Sequence, residues 1–491
     1  MHTCFSLMHR LRTVFNAVYA QRFSARKPLS SFPSDEQIAD FIEDDEYQKI
    51  KKNLTGLQSD YHHFTRKAFV IQPRVKWGPQ RDDRINYSLL LRETIALVET
   101  LPNWKVNASL TMSTTSLNRK GIFGKGNLEK LYECINQQEV NALVFSVDIL
   151  SSAQQTFLEQ RFSLPVFDRY SIVLQIFNDH AKTKEAKLQI ALAEIPYIRS
   201  KLRDFHMHGA QKESQFMQAI GGSKQRLLEE RKKILRNRES KLKKMLENVS
   251  RNRDFLKVAR IKKEIPSVAV VGYTNAGKTS LIKALTRDES LQPKDQLFAT
   301  LDVTTHSGRL PCGQQTLFID TVGFVSHIPI ALIHAFHATL KDALTSDLVV
   351  HVYDVSHPDV DNQRETVHHT LKSFELSDKL MGSIIEVANK IDCVPESDLK
   401  TSENEMPVSA AKGINIEPLK ERIEQRLLAN TNRTLREVRV PMGGEQSQWL
   451  WKEATVVGVR ADPNDENFAL MEVLFTNASF ARFKSRFRYD E

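Results

Sequence analysis

Residues 272–279 read G-Y-T-N-A-G-K-T and match the phosphate-loop pattern G-x-x-x-x-G-K-[ST]. The Val-rich run before them (266–271) predicts a buried parallel strand, and the apolar spacing after them (280–285) predicts a helix. Glycine lets the backbone wrap closely around an anion, and amides at the helix N-terminus face it. In this pattern Lys278 reaches the β- and γ-phosphates of a nucleotide, and the Thr279 hydroxyl ligates Mg²⁺. An isolated match could also be a chance glycine-rich turn. The rest of the chain therefore decides whether this stretch is a nucleotide-binding loop.

Three further strings each follow an apolar run that predicts a strand. They are D-T-V-G at 320–323, N-K-I-D at 389–392 and S-A-A at 409–411. Asp320 is predicted to hold Mg²⁺ through water, and the Gly323 amide to meet the γ-phosphate. Four strings in this order, each at the carboxyl end of a predicted strand, fit the ligand crevice of an open parallel sheet. The sequence therefore predicts a Ras-like P-loop domain.

Asp392 decides between the two purines. Its carboxylate can accept from both N1–H and N2–H₂ of guanine, and adenine lacks this donor pair. Asn389 is predicted to tie its string to the phosphate loop, and the backbone amides of Ser409, Ala410 and Ala411 to meet guanine O6. The predicted ligands are therefore GTP or GDP with Mg²⁺.

The threonine that closes over the γ-phosphate is expected within F-A-T-L-D-V-T-T at 298–305. Thr304 and Thr305 are β-branched and suit the start of a strand, so Thr300 is the predicted Mg²⁺ ligand beside Thr279. The predicted catalytic residues are Lys278, Thr300, Asp320 and Gly323. The predicted nucleotide-binding residues are Gly272, Tyr273, Thr274, Asn275, Ala276, Gly277, Lys278, Thr279, Phe298, Ala299, Thr300, Leu301, Asp302, Asp320, Thr321, Val322, Gly323, Asn389, Lys390, Ile391, Asp392, Ser409, Ala410 and Ala411.

Phe324 follows Gly323, where Ras-like enzymes carry the glutamine that orients the attacking water. A phenylalanine side chain neither donates nor accepts a hydrogen bond. We therefore predict slow hydrolysis by the isolated protein and faster hydrolysis when a partner orders the switch segments.

G-Y-T-N-A-G-K-T, F-A-T-L-D, D-T-V-G-F and N-K-I-D together resemble the HflX family of translational GTPases, and its animal mitochondrial branch in particular. The resemblance extends upstream over G-K-G at 124–126 and F-D-R at 167–169, and it covers roughly residues 68–430. It supports Thr300 as the switch threonine. It implies GTP hydrolysis, binding to the mitochondrial large ribosomal subunit and its rRNA, and either splitting of ribosomes or late assembly of that subunit. A signalling or scaffold protein whose coiled coil binds a protein partner is the alternative.

The two upstream strings are predicted to be structural. Residues 124–126 suit a tight strand-to-helix turn better than an anion site. Asp168 and Arg169 are expected to form a local contact such as an ion pair.

Residues 1–34 contain five Lys and Arg and no Asp or Glu. The apolar residues of one predicted helical face are Leu7, Leu11, Val14, Phe15 and Val18. Such a leader is typical of a mitochondrial transit peptide, with a disordered basic tail as the alternative. The predicted location is the mitochondrial matrix.

The whole chain has 491 residues and a formal charge of +9, enough for about three domains. Its four cysteines show neither disulfide nor metal-ligand spacing, which predicts free thiols in a reducing compartment. No stretch approaches the ~20 apolar residues of a membrane span, so stable membrane insertion is not expected. The free protein is predicted to be a monomer.

The patterns predict a multidomain α/β protein. Its parts are a mitochondrial targeting peptide at 1–34, a linker at 35–67, a parallel α/β domain at 68–178, a basic coiled-coil hairpin at 179–263, the G domain at 264–430 and a small α+β unit at 431–491. The hairpin follows from apolar residues seven apart, namely Leu188, Ile195 and Leu202, then Leu228, Leu235, Leu242, Val249 and Leu256. Pro196 is expected to kink or interrupt the first arm.

The hairpin carries the excess positive charge. Residues 197–263 hold 20 Lys and Arg against seven Asp and Glu, a net +13, and the leader adds +5, which leaves −9 for the rest. The densest patch is Arg231, Lys232, Lys233, Arg236 and Arg238. A stripe of one sign on a rigid arm favours the phosphate backbone of structured RNA over a mixed solvated face.

The sequence does not assign a function to two basic segments. The hairpin tip has A-I-G-G-S-K-Q-R at 219–226 where bacterial family members carry a G-P-G-E-T core, so their tip contacts do not transfer to this chain. The basic end at 482–488 suits either RNA contact or a solvated tail.

Overall fold

The computed structural model describes residues 47–51, 65–77, 86–208, 224–262, 265–293, 296–298, 300, 303–325, 346–374, 376–395, 397, 402, 404–463 and 465–487. The predicted leader, most of the predicted linker and the hairpin tip at 209–223 lie outside these residues. In the described part of the chain, no helix is long and apolar enough to cross a membrane.

The first sheet has four parallel strands in the order β2-β1-β3-β4. Its strands are β1 Arg66–Val75, β2 Trp104–Thr114, β3 Ala142–Phe145 and β4 Val166–Asp168, and the helices between and after them are α1 Tyr87–Thr100, α2 Lys125–Asn136, α3 Ser152–Phe162 and α4 Arg169–His180. Val144 of β3 packs in the cluster that holds α1 and α4, whereas Leu143 and Phe145 pack in the cluster that holds α2 and α3. Helices therefore cover both faces, which explains why all of β3 is apolar.

Helices α5 (Lys184–His208) and α6 (Lys224–Lys262) pack against each other as the arms of a hairpin. Their buried heptad residues are Leu188, Ile195, Leu202, Leu235 and Leu242. Helix α5 continues through Pro196, so proline does not interrupt the first arm. Ile195 and Tyr197 on either side of it are buried, and this packing offsets the hydrogen bond that proline cannot donate.

Asp168 and Arg169 form long-range ion pairs, and the prediction of a local one is wrong. Asp168 Oδ2 lies 3.2 Å from Lys201 Nζ of α5, and Arg169 pairs with Glu93 of α1 at 2.6 Å. Asp168 also accepts from the Ser171 amide at 2.8 Å and caps α4. Because β4 ends at Asp168 and α4 begins at Arg169, the adjacent side chains reach different neighbours. These two ion pairs connect the first sheet to the hairpin and to α1.

The second sheet has six strands in the order β10-β9-β8-β5-β7-β6, with only β6 antiparallel to its neighbour. Its elements are β5 Ser267–Gly272, α7 Lys278–Thr286, β6 Thr304–Arg309, β7 Gln315–Asp320, β8 Leu348–Asp354, α8 Val360–Ser373, α9 Asp378–Gly382, β9 Ile385–Asn389, β10 Glu405–Pro407 and α10 Ile416–Thr431. The central strand β5 is buried at every residue. Three of the predicted strings therefore begin where β5, β7 and β9 end, at one edge of the sheet.

The last unit is an antiparallel sheet of order β11-β13-β12 with two helices. Its elements are β11 Thr434–Pro441, α11 Glu445–Glu453, β12 Thr455–Asp462, β13 Asp465–Phe475 and α12 Asn477–Phe487. Phe475 and Phe483 are fully buried in its core. Arg482, Lys484 and Arg486 thus belong to a packed helix, on which Arg482 and Arg486 are exposed to solvent.

Candidate nucleotide-binding and hydrolysis site

The phosphate loop lies between strand β5 and helix α7, the context that its pattern requires. Gly277 precedes the helix with a left-handed φ of 91°. A Cβ at this position would overlap with the side-chain nitrogen of Asn389, so only glycine fits. The loop borders a cavity lined by Thr274, Asn275, Gly277, Lys278, Thr279, Ser280, Pro293, Gln296, Phe298, Thr300 and Gly323.

Lys278 is buried within the loop that precedes it. Its Nζ donates to the carbonyl oxygens of Tyr273 at 2.9 Å and Gly272 at 3.2 Å. Burial lowers the pKa of Lys278 to about 8, although the nearby Asp320 carboxylate favours the charged form. A phosphate in the cavity would stabilise the ammonium further, because an opposite charge raises the pKa of an amine.

Three side-chain oxygens converge beside Lys278. The hydroxyls of Thr279 and Thr300 donate to Asp320 Oδ2 at 2.7 and 3.2 Å, and the two hydroxyl oxygens lie 2.9 Å apart. Burial raises the pKa of Asp320, and these hydrogen bonds oppose that shift. Among the described residues, Asp320 Oδ1 is buried and has no hydrogen-bond partner. A buried carboxylate with a bare oxygen and two hydroxyls beside it fits a hard cation such as Mg²⁺.

The string after β7 packs directly on the phosphate loop. The Thr321 hydroxyl donates to the Val270 carbonyl at 2.8 Å, and Val322 is buried in the adjoining core. Gly323 leaves no room for a side chain, because a Cβ there would lie 2.8 Å from Thr274 Cγ2 and 3.0 Å from Lys278 Nζ. The Gly323 backbone therefore lies directly against the cavity, with no side chain between them.

Phe324 lies in the core, away from the cavity. Its amide donates to the Gly272 carbonyl at 3.1 Å, and its carbonyl accepts from the Thr274 amide at 2.6 Å. The ring is only 5% exposed and packs with Tyr273 and Phe298 in the same cluster. Residue 324 thus pairs with the phosphate loop through its backbone, and its buried ring offers no group that could orient an attacking water.

The N-K-I-D string at 389–392, which is predicted to select guanine and is called the guanine-specific string below, follows β9. Asn389 donates to the Ala276 carbonyl at 2.9 Å, and Lys390 forms an ion pair with Asp354 at 2.8 Å. Ile391 begins a short 3-10 helix that contains Asp392. A hydrogen bond from Ser409 Oγ at 2.6 Å lowers the pKa of Asp392, so the carboxylate is ionised at neutral pH.

The S-A-A string at 409–411 borders the site on the same side as the guanine-specific string. The Ala410 amide donates to Asn389 Oδ1 at 3.1 Å, which joins it to the guanine-specific string. Ser409 is fully buried, whereas Ala411 is exposed. The nucleotide contacts assigned to these residues stay predictions.

The switch segment is only partly described. Phe298 is buried with a left-handed φ of 55°, and Thr300 contacts Asp320 as given above. Ala299, Leu301 and Asp302 lie outside the described residues. Thr304 and Thr305 open strand β6, which agrees with the alternative considered for them.

Two neighbours of the site escaped the sequence analysis. The Tyr273 hydroxyl donates to Glu93 Oε1 at 3.0 Å, and a His180 ring nitrogen lies 3.0 Å from the Phe298 carbonyl oxygen. Neither Glu93 nor His180 belongs to a recognisable pattern. Both lie in the first sheet's domain, more than one hundred residues from their partners in the chain.

Three family models match the chain in succession: "GTP-binding GTPase N-terminal" over residues 89–178, "GTP-binding GTPase Middle Region" over 180–260 and "50S ribosome-binding GTPase" over 267–390. "Putative GTP-binding protein 6" of Xenopus laevis is 41% identical over 454 residues, which cover 91% of this chain and 85% of the relative. "GTPase HflX" of Magnetococcus marinus is 33% identical over 402 residues, which cover 80% of this chain and 90% of the relative.

The chain is also similar to a solved GTP-binding protein of the archaeon Sulfolobus solfataricus in complex with GDP. The identity is 26% and the TM-score 0.38, with 74% of this chain and 99% of that chain covered. The identity and coverage of the sequence relatives, together with the P-loop domain, decide the family. The chain belongs to the HflX family of GTPases, and it binds and hydrolyses GTP.

Proposed function

We propose that this GTPase binds the large ribosomal subunit of mitochondria and acts in ribosome splitting or in late assembly of that subunit. The observation that carries the proposal is the charge on the second arm of the hairpin. Helix α6 contains 15 Lys and Arg and five Asp and Glu, a net +10 over 39 residues. The family model described as a 50S ribosome-binding GTPase supports the same partner.

Much of this charge lies on the surface. The exposed basic residues within the described side chains of α6 are Arg226, Lys233, Arg236, Lys241, Lys243 and Lys244. Some are neutralised locally, since Glu229 and Glu239 pair with neighbouring lysines and arginines. More cations than anions remain, and such a surface suits an RNA phosphate backbone.

Arg238 must be removed from the predicted patch. It is 4% exposed, and its guanidinium lies 3.7 Å from the ring centroid of Tyr47. The Tyr47 hydroxyl in turn donates to the buried Glu194. Arg238 therefore anchors the helical segment 47–51 on the hairpin, and this structural contact is incompatible with RNA binding by that side chain.

The nucleotide site would supply the switch. Thr279, Thr300 and Asp320 would hold Mg²⁺, which neutralises charge on the β- and γ-phosphates when bound. Lys278 and the Gly323 amide would stabilise the charge that develops on the transferred phosphoryl group. Because Thr300 belongs to the switch segment, GTP and GDP would favour different positions of it. Binding to the subunit in one nucleotide state and release in the other requires only that the two forms differ in their affinity for the subunit.

Density-gradient sedimentation of intact mitochondrial ribosomes tests the proposal. The protein without residues 1–34 is added with GTP, a non-hydrolysable GTP analogue or GDP. Splitting predicts separate subunits with GTP or the analogue but not with GDP, and protein that migrates with the large subunit. Late assembly predicts intact ribosomes and binding to isolated large subunits. Binding to neither contradicts the proposal.

Charge reversal separates RNA binding from binding to a protein partner. We compare Lys233→Glu/Lys244→Glu on α6 with Lys130→Glu/Lys372→Glu, which reverses two exposed lysines outside the hairpin. RNA binding predicts that the logarithm of the association constant falls linearly with the logarithm of salt concentration, with a slope reduced by about one for each α6 lysine lost. A protein-binding coiled coil predicts little dependence on salt and equal behaviour of the two variants.

The mitochondrial location is tested separately. Residues 1–34 fused to a fluorescent reporter are expected to direct it into the mitochondrial matrix, because the leader is basic and free of acidic residues. A reporter with Arg10, Arg12 and Arg22 replaced by glutamine should remain outside. Import of both reporters, or of neither, would contradict the assignment.

A further inference from the structure

The switch residue Phe298 is held by a helix of the first sheet's domain. Its ring packs edge-on against Phe177 of α4, with centroids 4.7 Å apart and planes at 90°. Phe177 is 2% exposed and Phe298 1% exposed, so the contact excludes water. Phe298 lies two residues before Thr300, whose hydroxyl contacts Asp320.

The backbone of Phe298 is held as well. Its carbonyl oxygen lies 3.0 Å from Nδ1 of His180, the last residue of α4. Since a carbonyl only accepts, Nδ1 carries the hydrogen in this contact. Phe298 has a left-handed φ of 55°, a conformation that a bulky residue adopts only when its surroundings impose it. The ring contact and the hydrogen bond together supply that constraint.

The other end of the same helix is linked to the phosphate loop through Glu93 of α1. Arg169, the first residue of α4, pairs with Glu93, and Glu93 accepts from the Tyr273 hydroxyl. Helix α4 therefore contacts the switch segment directly and the phosphate loop through Glu93. His180 has the more direct relation to hydrolysis, because it contacts Phe298, two residues before the predicted metal ligand Thr300.

We propose that His180 and Phe177 are positioning residues for GTP hydrolysis. They fix Phe298, and through it they keep the Thr300 hydroxyl beside Asp320 and Thr279. Loss of the His180 hydrogen bond frees the Phe298 carbonyl and lets Thr300 leave the site for part of the time. The effect acts mainly on the triphosphate state, because Thr300 is the predicted ligand that closes over the γ-phosphate, which GDP lacks.

The test measures single-turnover hydrolysis with Mg²⁺, and affinity for GDP and for a non-hydrolysable GTP analogue. His180→Ala is expected to reduce both the hydrolysis rate and the analogue affinity about fivefold, the effect of one ordinary hydrogen bond. GDP affinity should change less than twofold, which also shows that the variant is folded. His180→Asn should recover most of the loss, because its Nδ2 is bonded to Cγ as Nδ1 of histidine is. The control is His369→Ala, an exposed histidine on α8.

A double-mutant cycle separates positioning from a general structural role. If His180 acts through Thr300, its replacement has no further effect on analogue affinity once Thr300→Ala is present. Phe177→Leu should behave in the same way as His180→Ala. Wild-type rates in His180→Ala, full additivity with Thr300→Ala, or a parallel loss of GDP affinity would each overturn the proposal.

Discussion

The side-chain nitrogen of Asn389 donates to the carbonyl oxygen of Ala276 at 2.9 Å. This bond joins the guanine-specific string after β9 to the phosphate loop after β5. The oxygen of the same amide accepts from the Ala410 backbone at 3.1 Å, and Asn389 is 2% exposed. One buried side chain therefore holds three segments of the candidate site in a fixed relation.

Gly277→Ala should disturb this relation. The new Cβ would overlap with Asn389 Nδ2, and the φ of 91° disfavours a side chain. We expect GDP affinity to fall by about tenfold to a hundredfold, because backbone strain and one lost hydrogen bond each cost roughly 1 kcal/mol or more. Titration with a fluorescent GDP analogue measures the effect. The matched control is Gly382→Ala, where a Cβ meets nothing within 4 Å, and equal affinities of the two variants would contradict the prediction.

Asp392→Asn should change the preferred base. The substitution replaces one accepting oxygen by a donor, which then faces the N1–H and N2–H₂ donors of guanine. We expect GDP to bind about a hundredfold more weakly, since hydrogen bonds to a charged group contribute roughly 1.5–3 kcal/mol each. The diphosphate of xanthosine, with a carbonyl in place of the amino group, should bind the variant more tightly than it binds wild type. Competition titrations check both effects, with the exposed Asp361→Asn as control.

Phe324→Gln should not create a faster enzyme. The Phe324 backbone is bonded to Gly272 and Thr274, so a glutamine here would bury its amide in an apolar cluster. We expect the free energy of unfolding to fall by about 1–3 kcal/mol and single-turnover hydrolysis to stay at the slow wild-type rate. Phe324→Leu should retain stability and the same rate. Fast hydrolysis by the isolated wild type, or acceleration in the glutamine variant, would refute the assignment of this position.

Acidification from pH 7 to pH 5 should destabilise the G domain through His351. This histidine is 0% exposed, donates from Nδ1 to Glu386 at 2.8 Å and adjoins His368 on α8. Burial lowers its pKa below the ordinary value, against the attraction of Glu386. The unfolded chain then binds a proton near pH 6.5 that the folded chain does not, so stability decreases as the pH falls through that range.

Glu386 contributes in a lower pH range. Burial alone would raise its pKa, but hydrogen bonds from His351 and His368 lower it to about 2, so its contribution is lost only below about pH 4.5. Thermal unfolding at pH 5, 6 and 7 therefore excludes a contribution from Glu386, and replacement of His351 identifies the contribution of that histidine. His351→Phe should show a smaller decrease in Tm between pH 7 and pH 5 than wild type or His369→Ala does. Equal slopes for all three proteins would exclude His351 as the source.

The sequence by itself determined the fold class and predicted the members of the candidate nucleotide site. Strings such as those at 272–279 and 389–392 encode their chemistry locally, because the turn residues and the side chains that meet the ligand are neighbours in the chain. Heptad spacing likewise predicted the hairpin, since helix periodicity specifies which residues share a buried face. Local patterns also gave one wrong prediction. Charge density alone placed Arg238 on the surface, whereas the structure buries it against Tyr47.

Only the tertiary structure decided which distant groups meet. His180 reaches the Phe298 carbonyl across 118 residues, Tyr273 reaches Glu93 across 180, and Asp168 pairs with Lys201 in preference to its neighbour Arg169. Periodicity describes backbone conformation and burial, but it carries no information on the partner that a buried polar group finds. That partner depends on how helices pack around the sheets, where each buried donor or acceptor must be satisfied by whatever group the packing brings within reach.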